Sequence, residues 1–208
     1  MERLTKCTLD NADELAKPIL QEIKSRYGMI PNFYSALGIN GAVMKGYLEF
    51  EANLEEHSLL SLAQREMISL AVANYNGCEY CVSGHSFSGK RAGLSPDACI
   101  KAQQGKANNR EDQLLLDVAL ALLQHRGKLP DSLLTACLDA GISEAKVMQV
   151  CAWSGLNNFS NWVNNTVQPK IDFPRFHCNP ILSDKREATM RCIAAFSILL
   201  NQRSVGDA

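Results

Sequence analysis

Residues 61–85 read SLAQREMISLAVANYNGCEYCVSGH, and this stretch decides the fold. Ser61 followed three residues later by Gln64 is typical of a capping box at the start of a helix. The apolar run behind it indicates a buried helix, which Asn76–Gly77 ends before a second helical pattern begins. The stretch therefore predicts two antiparallel helices, 62–75 and 80–91, hinged at Gly77.

The rest of the chain also carries helical patterns. Apolar side chains at Leu115, Val118 and Leu122 follow the spacing of an amphipathic helix, and Ser95–Pro96 is typical of a helix start. No run of alternating β-branched residues lies between turn residues. The chain is therefore predicted to be all-α, with further helices at 15–27, 33–37, 41–54, from 96 onward, 110–126, 133–140, 143–158 and 186–202.

Two segments have a similar sequence pattern. Both 60–81 and 142–162 begin with a small capping residue, continue as an apolar helix and reach an asparagine-containing break. The pattern suggests a duplicated helical unit, in which the first copy carries the chemistry and the second, with Asn157, Asn158 and Phe159 at its break, is scaffolding.

The three prolines between 168 and 180 predict a linker after the helical region. We therefore divide the chain into a helical domain, 1–168, and a segment, 169–208, that contains this linker and a C-terminal helix. One expectation for that last helix is that it packs on a neighbouring subunit.

Composition excludes several classes of protein. The net charge of -1 and the lack of a basic block give no electrostatic basis for binding nucleic acid. The first ten residues lack the apolar core of a signal peptide, and no apolar stretch is long enough to cross a bilayer. We expect a soluble, cytoplasmic protein without membrane association.

Cysteine usage singles out one pair. Six of the eight cysteines occur singly and are expected to be small buried residues, as is common in reducing compartments: Cys7, Cys99, Cys137, Cys151, Cys178 and Cys192. Only Cys78 and Cys81 are closely spaced. That pair is the candidate reactive centre.

The predicted helix pair gives this dithiol two partners. Cys78 and Cys81 start the second helix, whose N-terminus favours a thiolate over a thiol. His85 follows Cys81 by one turn on the same face, and Glu66 on the first helix falls opposite residues 85–89. We predict that Glu66 orients His85 and that His85 accepts the proton of a cysteine.

Spacing also suggests a separate role for each of the two sulfurs. Cys81 is nearer to His85, so we assign it as the nucleophile and Cys78 as the resolving thiol, which captures a sulfenic acid as a disulfide. Tyr80 lies between them and is a candidate substrate-binding residue. Its hydroxyl either donates to a bound oxygen or shields the pocket.

The stretch from Glu66 to His85 resembles the signature of the carboxymuconolactone decarboxylase superfamily, in its alkylhydroperoxidase D-like branch. The pattern is a glutamate twelve residues before a Cys-x-x-Cys and a histidine four residues after it, and all four positions match. The segment from Gly28 to Asn32, GMIPN, resembles that of peroxidase-related members. The best-known members carry a histidine between the cysteines, where this chain has Tyr80.

The resemblance implies an all-helical fold, a homo-oligomer (trimer or hexamer), and neither a bound cofactor nor a metal. It further implies an antioxidant peroxidase that reduces hydroperoxides with electrons from a dithiol or thiol-protein donor. In such an enzyme Cys81 attacks the peroxide, Cys78 resolves, and Glu66 and His85 relay protons.

The same residues have other interpretations. A Cys-x-x-Cys also occurs in zinc sites, but no second pair is present to complete four ligands. Taken singly, His85 and Glu66 are ordinary structural residues, and only their coincidence with the dithiol favours a function. Two alternative functions remain: a redox sensor that does not catalyse, and a lactone decarboxylase, which the intact dithiol disfavours.

Overall fold

The computed structural model describes residues 3–179. This part of the chain is all-α, as predicted, and no strand occurs in it. Its nine helices are α1 (Ala16–Tyr27), α2 (Asn32–Leu37), α3 (Gly41–Glu56), α4 (Leu62–Tyr75), α5 (Glu79–Arg91), α6 (Pro96–Gln103), α7 (Arg110–Gln124), α8 (Asp131–Asp139) and α9 (Glu144–Val167).

Helix α4 forms the centre of the fold. The predicted capping box is present: the Ser61 side chain accepts the Gln64 N–H, and the Gln64 side chain accepts the Ser61 N–H. All residues from 67 to 74 are buried, because α5, α6, α7 and α9 surround the helix. A helix that is apolar on every side belongs in a core, and α4 occupies that place.

Two smaller apolar clusters flank this core. One joins α1, α2 and α3 around Leu20, Leu37 and Met44, and the other surrounds the dithiol. Phe33 packs against both of them. The amino-terminal helices are thereby connected to the dithiol region through a continuous apolar path.

Helix α9 corrects one prediction. The expected break at Asn157, Asn158 and Phe159 is absent, and the helix runs unbroken to Val167. Asn157 donates to the Trp153 carbonyl one turn earlier, and Asn76 donates to Asn158, so these polar side chains are satisfied within a helix. The expected break is therefore wrong, and the duplicated helical unit stays a prediction.

Residues 169–179, here called the strap, follow α9 and run back along α5. Gln168 caps α9 in the left-handed conformation, with φ of 55°, and turns the chain. The strap has no helix but contacts α5 along its length, through the Ser83 and Glu79 side chains among others. The predicted helix at 186–202 lies outside the described residues.

The single cysteines differ in their surroundings. Cys7, Cys99 and Cys137 are buried, as predicted. Cys151 is exposed and Cys178 is half-buried, so the prediction is wrong for these two, while Cys192 lies outside the described part. Between residues 3 and 179, no helix combines the length and apolarity needed to cross a membrane.

Candidate active site

The turn between α4 and α5 places the first cysteine at a helix start. Gly77 adopts a φ of +64°, which a residue with a side chain rarely adopts. Cys78 then donates its N–H to the Ala73 carbonyl at 2.9 Å and caps α5, its Sγ accepting the Cys81 N–H at 3.3 Å. A sulfur therefore occupies the cap position where a serine or aspartate oxygen is usual.

Cys78 and Cys81 are joined by a disulfide, with Cα atoms 5.3 Å apart. The structure therefore shows the oxidised form of the predicted dithiol. Cys78 is 1% exposed and Cys81 is 5% exposed, so almost none of either residue reaches solvent. The disulfide is an internal feature of the fold.

Glu66 and His85 meet across the helix pair, as predicted. Glu66 Oε2 lies 2.9 Å from His85 Nδ1, and both side chains are largely buried. When Nδ1 carries the shared proton, Nε2 is the nitrogen that can accept another. Since His85 lies one turn beyond Cys81 in α5, the pair is suited to accept a proton on the cysteine's face of the helix.

A glycine of α5 lies close to neighbouring side chains. A Cβ built on Gly89 would lie 3.3 Å from Cys99 Sγ and 3.8 Å from the Cβ of Glu66. Contacts of 3.3 Å are tighter than most real Cβ contacts, so a side chain at this position would push neighbouring groups away. Gly89 thus allows Leu94 and Cys99 to pack closely on α5, while Glu66 lies at an ordinary contact distance.

Asn164 is a site residue that sequence reasoning missed. Its Nδ2 donates to Cys81 Sγ at 3.3 Å, and the residue is buried. Its Oδ1 is buried and has no hydrogen-bond partner among the described residues. An amide donor beside a sulfur stabilises the thiolate, because hydrogen bonds to the charged form favour that form.

A signal for Asn164 was present in the sequence. Asn157, Asn161 and Asn164 recur at intervals of four and three residues, which places them on one face of a continuous helix, and all three are buried. A buried polar face requires partners from elsewhere in the fold. The predicted break at Asn157 and Asn158 hides this continuous face.

Tyr80 is tied to the strap. Its hydroxyl donates to Asp172 Oδ2 at 2.7 Å and accepts the Phe33 N–H at 3.0 Å. Burial, followed by the hydrogen bond to Asp172, raises the pKa of Tyr80 far above its ordinary value. Donation from this hydroxyl to a bound oxygen would require the bond to Asp172 to break, and the substrate-binding role stays a prediction.

The strap is fixed over α5 by further polar contacts. Ser83 Oγ donates to the Phe176 carbonyl at 3.3 Å and accepts the Phe176 N–H at 2.9 Å. Glu79 pairs with Arg175 and with His177, and these hydrogen bonds lower the pKa of its carboxyl. Phe173 packs edge-on against Tyr80. Together these contacts cover the N-terminal half of α5.

A second carboxyl lies near the Glu66–His85 pair. Tyr47 Oη donates to Glu51 Oε1 at 3.2 Å on α3. Burial, with a smaller contribution from Glu55, raises the pKa of Glu51 to about 7, while the charge of His85 acts in the opposite direction. Glu51 therefore changes charge near neutral pH beside the predicted relay. No motif indicated this residue.

The remaining histidines do not join the site. His57 is exposed at the end of α3, His125 caps α7, and His177 contacts Glu79 on the outer side of α5. In the stretch from residue 3 to 179, no group of three or more His, Cys, Asp or Glu side chains is arranged to hold a metal ion.

Comparison with solved structures identifies the fold. An uncharacterised peroxidase-related protein from Ralstonia eutropha JMP134, an alkylhydroperoxidase AhpD core, is 18% identical, with a TM-score of 0.74 over 82% of this chain and 92% of that chain. A peroxidase-related protein from Silicibacter sp. TM1040 is 18% identical, with a TM-score of 0.67 over 82% and 97%. A cysteine-to-alanine variant of the debrominase Bmp8, in complex with 2,3,4-tribromopyrrole, is 17% identical, with a TM-score of 0.67 over 83% and 94%.

Part of the sequence matches a known family. Residues 41–103, which contain α4, the dithiol and His85, match the carboxymuconolactone decarboxylase family. No curated protein matches the sequence. The match covers part of the chain, and the described residues have a fold similar to that of the alkylhydroperoxidase AhpD core.

Proposed function

We propose that the protein is a thiol-dependent peroxidase, a disulfide oxidoreductase that reduces hydroperoxides through Cys78 and Cys81. One observation carries this proposal: the disulfide of these cysteines lies on the same helix as His85, whose Nδ1 is 2.9 Å from Glu66. A redox-active dithiol needs a group that accepts and returns protons, and this pair supplies it.

In the proposed reaction, the Cys81 thiolate attacks one oxygen of a hydroperoxide. The O–O bond breaks, the alcohol leaves with a proton from His85, and Cys81 becomes a sulfenic acid. The Cys78 thiol then attacks this sulfur, which releases water and forms the disulfide. A dithiol donor reduces the disulfide and is itself oxidised, so each turnover consumes one hydroperoxide and one dithiol.

The contacts of Cys81 support its assignment as the nucleophile. The Asn164 amide donates to its sulfur, and α5 begins beside it, so both favour the thiolate. Cys78 Sγ instead accepts the backbone N–H of Cys81. We assign the Glu66–His85 pair to proton transfer at Cys81.

A redox sensor is the second candidate, and the strap favours it. Tyr80 lies between the two cysteines in sequence and bonds to Asp172 of the strap. A change in the redox state of the dithiol that moves Tyr80 would therefore also move the strap. A sensor would show this movement without turnover.

Peroxide turnover with a panel of donors tests the proposal. Wild type is assayed with tert-butyl and cumene hydroperoxide and with several dithiols, beside Cys81→Ser, Cys78→Ser and Cys151→Ser. We expect turnover in wild type and in Cys151→Ser, whose exposed cysteine lies outside the site. Cys81→Ser should be inactive, and Cys78→Ser should accumulate a sulfenic acid or a mixed disulfide on Cys81.

Full activity in Cys81→Ser would contradict the assignment. No turnover with any donor, combined with a redox-dependent change in hydrogen exchange of the strap, would instead favour the sensor. Because a debrominase shares the fold, a brominated pyrrole belongs in the substrate panel. Turnover of that compound alone would overturn the peroxidase proposal.

A further inference from the structure

The burial of the disulfide limits how electrons reach it. A donor thiolate must approach one sulfur to exchange with a disulfide. Cys78 and Cys81 are only 1% and 5% exposed, and aromatic residues of the strap pack against their cluster. An external dithiol therefore has to contact the strap before it can reach either sulfur.

The strap itself carries a thiol at this position. Cys178 is half-buried and packs against the same apolar cluster that contains Cys78 and Cys81. The other free cysteines of residues 3–179 lie elsewhere: Cys7 in the cluster of α1 to α3, Cys99 and Cys137 in the main core, and Cys151 on the surface of α9. Within that range, Cys178 is the free cysteine that shares the surroundings of the dithiol.

The residues on either side hold Cys178 on the Cys78 side of the pair. His177 Nδ1 lies 3.0 Å from Oε1 of Glu79, which directly follows Cys78. Asn179 donates its N–H to Asn74 Oδ1 at 2.7 Å, and Asn74 Nδ2 donates to the Asn179 carbonyl at 2.8 Å. Asn74 lies in the last turn of α4, directly before the turn that leads to Cys78.

We propose that Cys178 is a third redox thiol. It forms a disulfide with Cys78 by thiol–disulfide exchange, and an external dithiol then reduces this Cys78–Cys178 disulfide. This inference deepens the proposed function and rests on it for its biological purpose, although the exchange itself does not depend on peroxide turnover. It assigns a chemical role to a strap residue outside the family motif.

The exchange balances without an added oxidant. The Cys178 thiolate attacks Cys78 Sγ, the Cys78–Cys81 bond breaks, a Cys78–Cys178 bond forms, and Cys81 leaves as a thiolate. The dithiol donor then attacks Cys178 Sγ and releases Cys78. Its second thiol closes on the first, which frees Cys178 and leaves the donor oxidised by two electrons.

The contacts of the three sulfurs set the direction of the exchange. When Cys81 leaves, the Asn164 amide donates to its sulfur and stabilises the departing thiolate. Burial, followed by the charge of Glu79, raises the pKa of the Cys178 thiol. The Cys78–Cys81 disulfide is therefore the resting form, and the exchanged form is a minor species that the donor removes.

Trapping the exchanged disulfide tests the proposal. The full-length Cys81→Ser variant is oxidised with diamide, which accepts the two electrons, and is digested with trypsin without reduction. Cleavage after Arg65, Lys90, Arg175 and Lys185 separates the peptide with Cys78 from the peptide with Cys178. We expect mass spectrometry to find these two peptides joined in Cys81→Ser and in Cys81→Ser/Cys151→Ser, and separate in Cys81→Ser/Cys178→Ser.

The reduction rate of the wild-type disulfide gives a second readout. Oxidised Cys178→Ser is expected to be reduced by dithiothreitol more slowly than oxidised wild type or oxidised Cys151→Ser, with circular dichroism showing that all three are folded. No Cys78–Cys178 link, or as much linkage of Cys78 to Cys151, would overturn the proposal, as would equal reduction rates. A Cys78–Cys178 link in a protein that turns over no peroxide would support the exchange and reject only the peroxidase function.

Discussion

The side-chain amide of Asn164, near the end of α9, donates a hydrogen bond to Cys81 Sγ at 3.3 Å. This contact joins the longest helix of the described chain to the predicted nucleophile. Within residues 3–179, the oxygen of the same amide, Oδ1, has no hydrogen-bond partner. The contact of Asn164 with the site is therefore the hydrogen bond that it donates to the sulfur.

Replacement of Asn164 by alanine is expected to lower the thiolate fraction of reduced Cys81. The variant loses one hydrogen bond to the charged sulfur, which is worth about 1.5–3 kcal/mol. Alkylation of reduced protein by iodoacetamide at neutral pH measures the change. Asn165→Ala is the matched control, because the Asn165 side chain donates to the Asn76 carbonyl and not to a sulfur. An equal decrease of the alkylation rate in both variants would contradict the role of Asn164.

Glu66→Gln and His85→Gln are each expected to slow the same alkylation and to leave the fold intact. Glu66→Gln removes the carboxylate that orients His85, and His85→Gln removes the imidazole that accepts the proton, while both side chains keep a similar size. Circular dichroism checks the fold. Glu55→Gln is the control and should be alkylated as fast as wild type, because Glu55 pairs with Arg65 outside the relay. An unchanged alkylation rate in Glu66→Gln and His85→Gln would remove the relay from the mechanism.

Tyr80→Phe is expected to loosen the strap. The variant loses the hydrogen bond to Asp172 and leaves the Phe33 N–H without its acceptor, at a cost of about 1–3 kcal/mol. Limited trypsin digestion at Lys170 and Arg175 should become faster. Tyr75→Phe, at an exposed tyrosine that ends α4, serves as the control and should be cleaved as slowly as wild type; equal rates in all three proteins would show that Tyr80 does not hold the strap.

Stability is expected to fall as pH rises from about 4.5 to about 7, owing to Glu51. The folded protein keeps this carboxyl protonated to a pKa of about 7, whereas the unfolded chain releases the proton near 4.5, so the folded state binds more protons in this window. Glu51→Gln should therefore be more stable than wild type at pH 8, by on the order of 2 kcal/mol, and similar at pH 4.

Urea unfolding of both proteins at the two pH values measures this difference. Glu49→Gln, at an exposed position of the same helix, should behave as wild type. A constant difference between Glu51→Gln and wild type at both pH values would show that burial of the charge is not the cause.

The parts of the site that sequence predicted depend on local patterns. The capping box at Ser61 fixes the start of α4, and the Gly77 turn reverses the chain, so helical periodicity alone places Glu66 opposite His85. Their 2.9 Å contact confirms that part of the prediction. Proton transfer by this pair stays a prediction.

The parts that sequence did not predict depend on distant contacts. Asparagine has a low helix propensity, so the asparagines of α9 indicated a break, yet Asn76 on the α4–α5 turn binds Asn158 and Asn161 and stabilises the continuous helix. The strap contains two prolines and no period, but Asp172 binds Asn32 and Tyr80, far away in sequence. Contacts of this kind leave no local pattern.

The unbroken course of α9 restricts how this protein can change in evolution. Trp153 donates to Ser69 on α4 at 3.0 Å, and Asn164 donates to Cys81 on α5, eleven residues later. Eleven residues make about three turns, so both side chains leave the same face, about 16 Å apart. A single inserted residue between them would rotate Asn164 by about 100° away from the sulfur. Substitutions at outward positions such as Gly155 are tolerable, but the number of residues in this stretch is not free to vary.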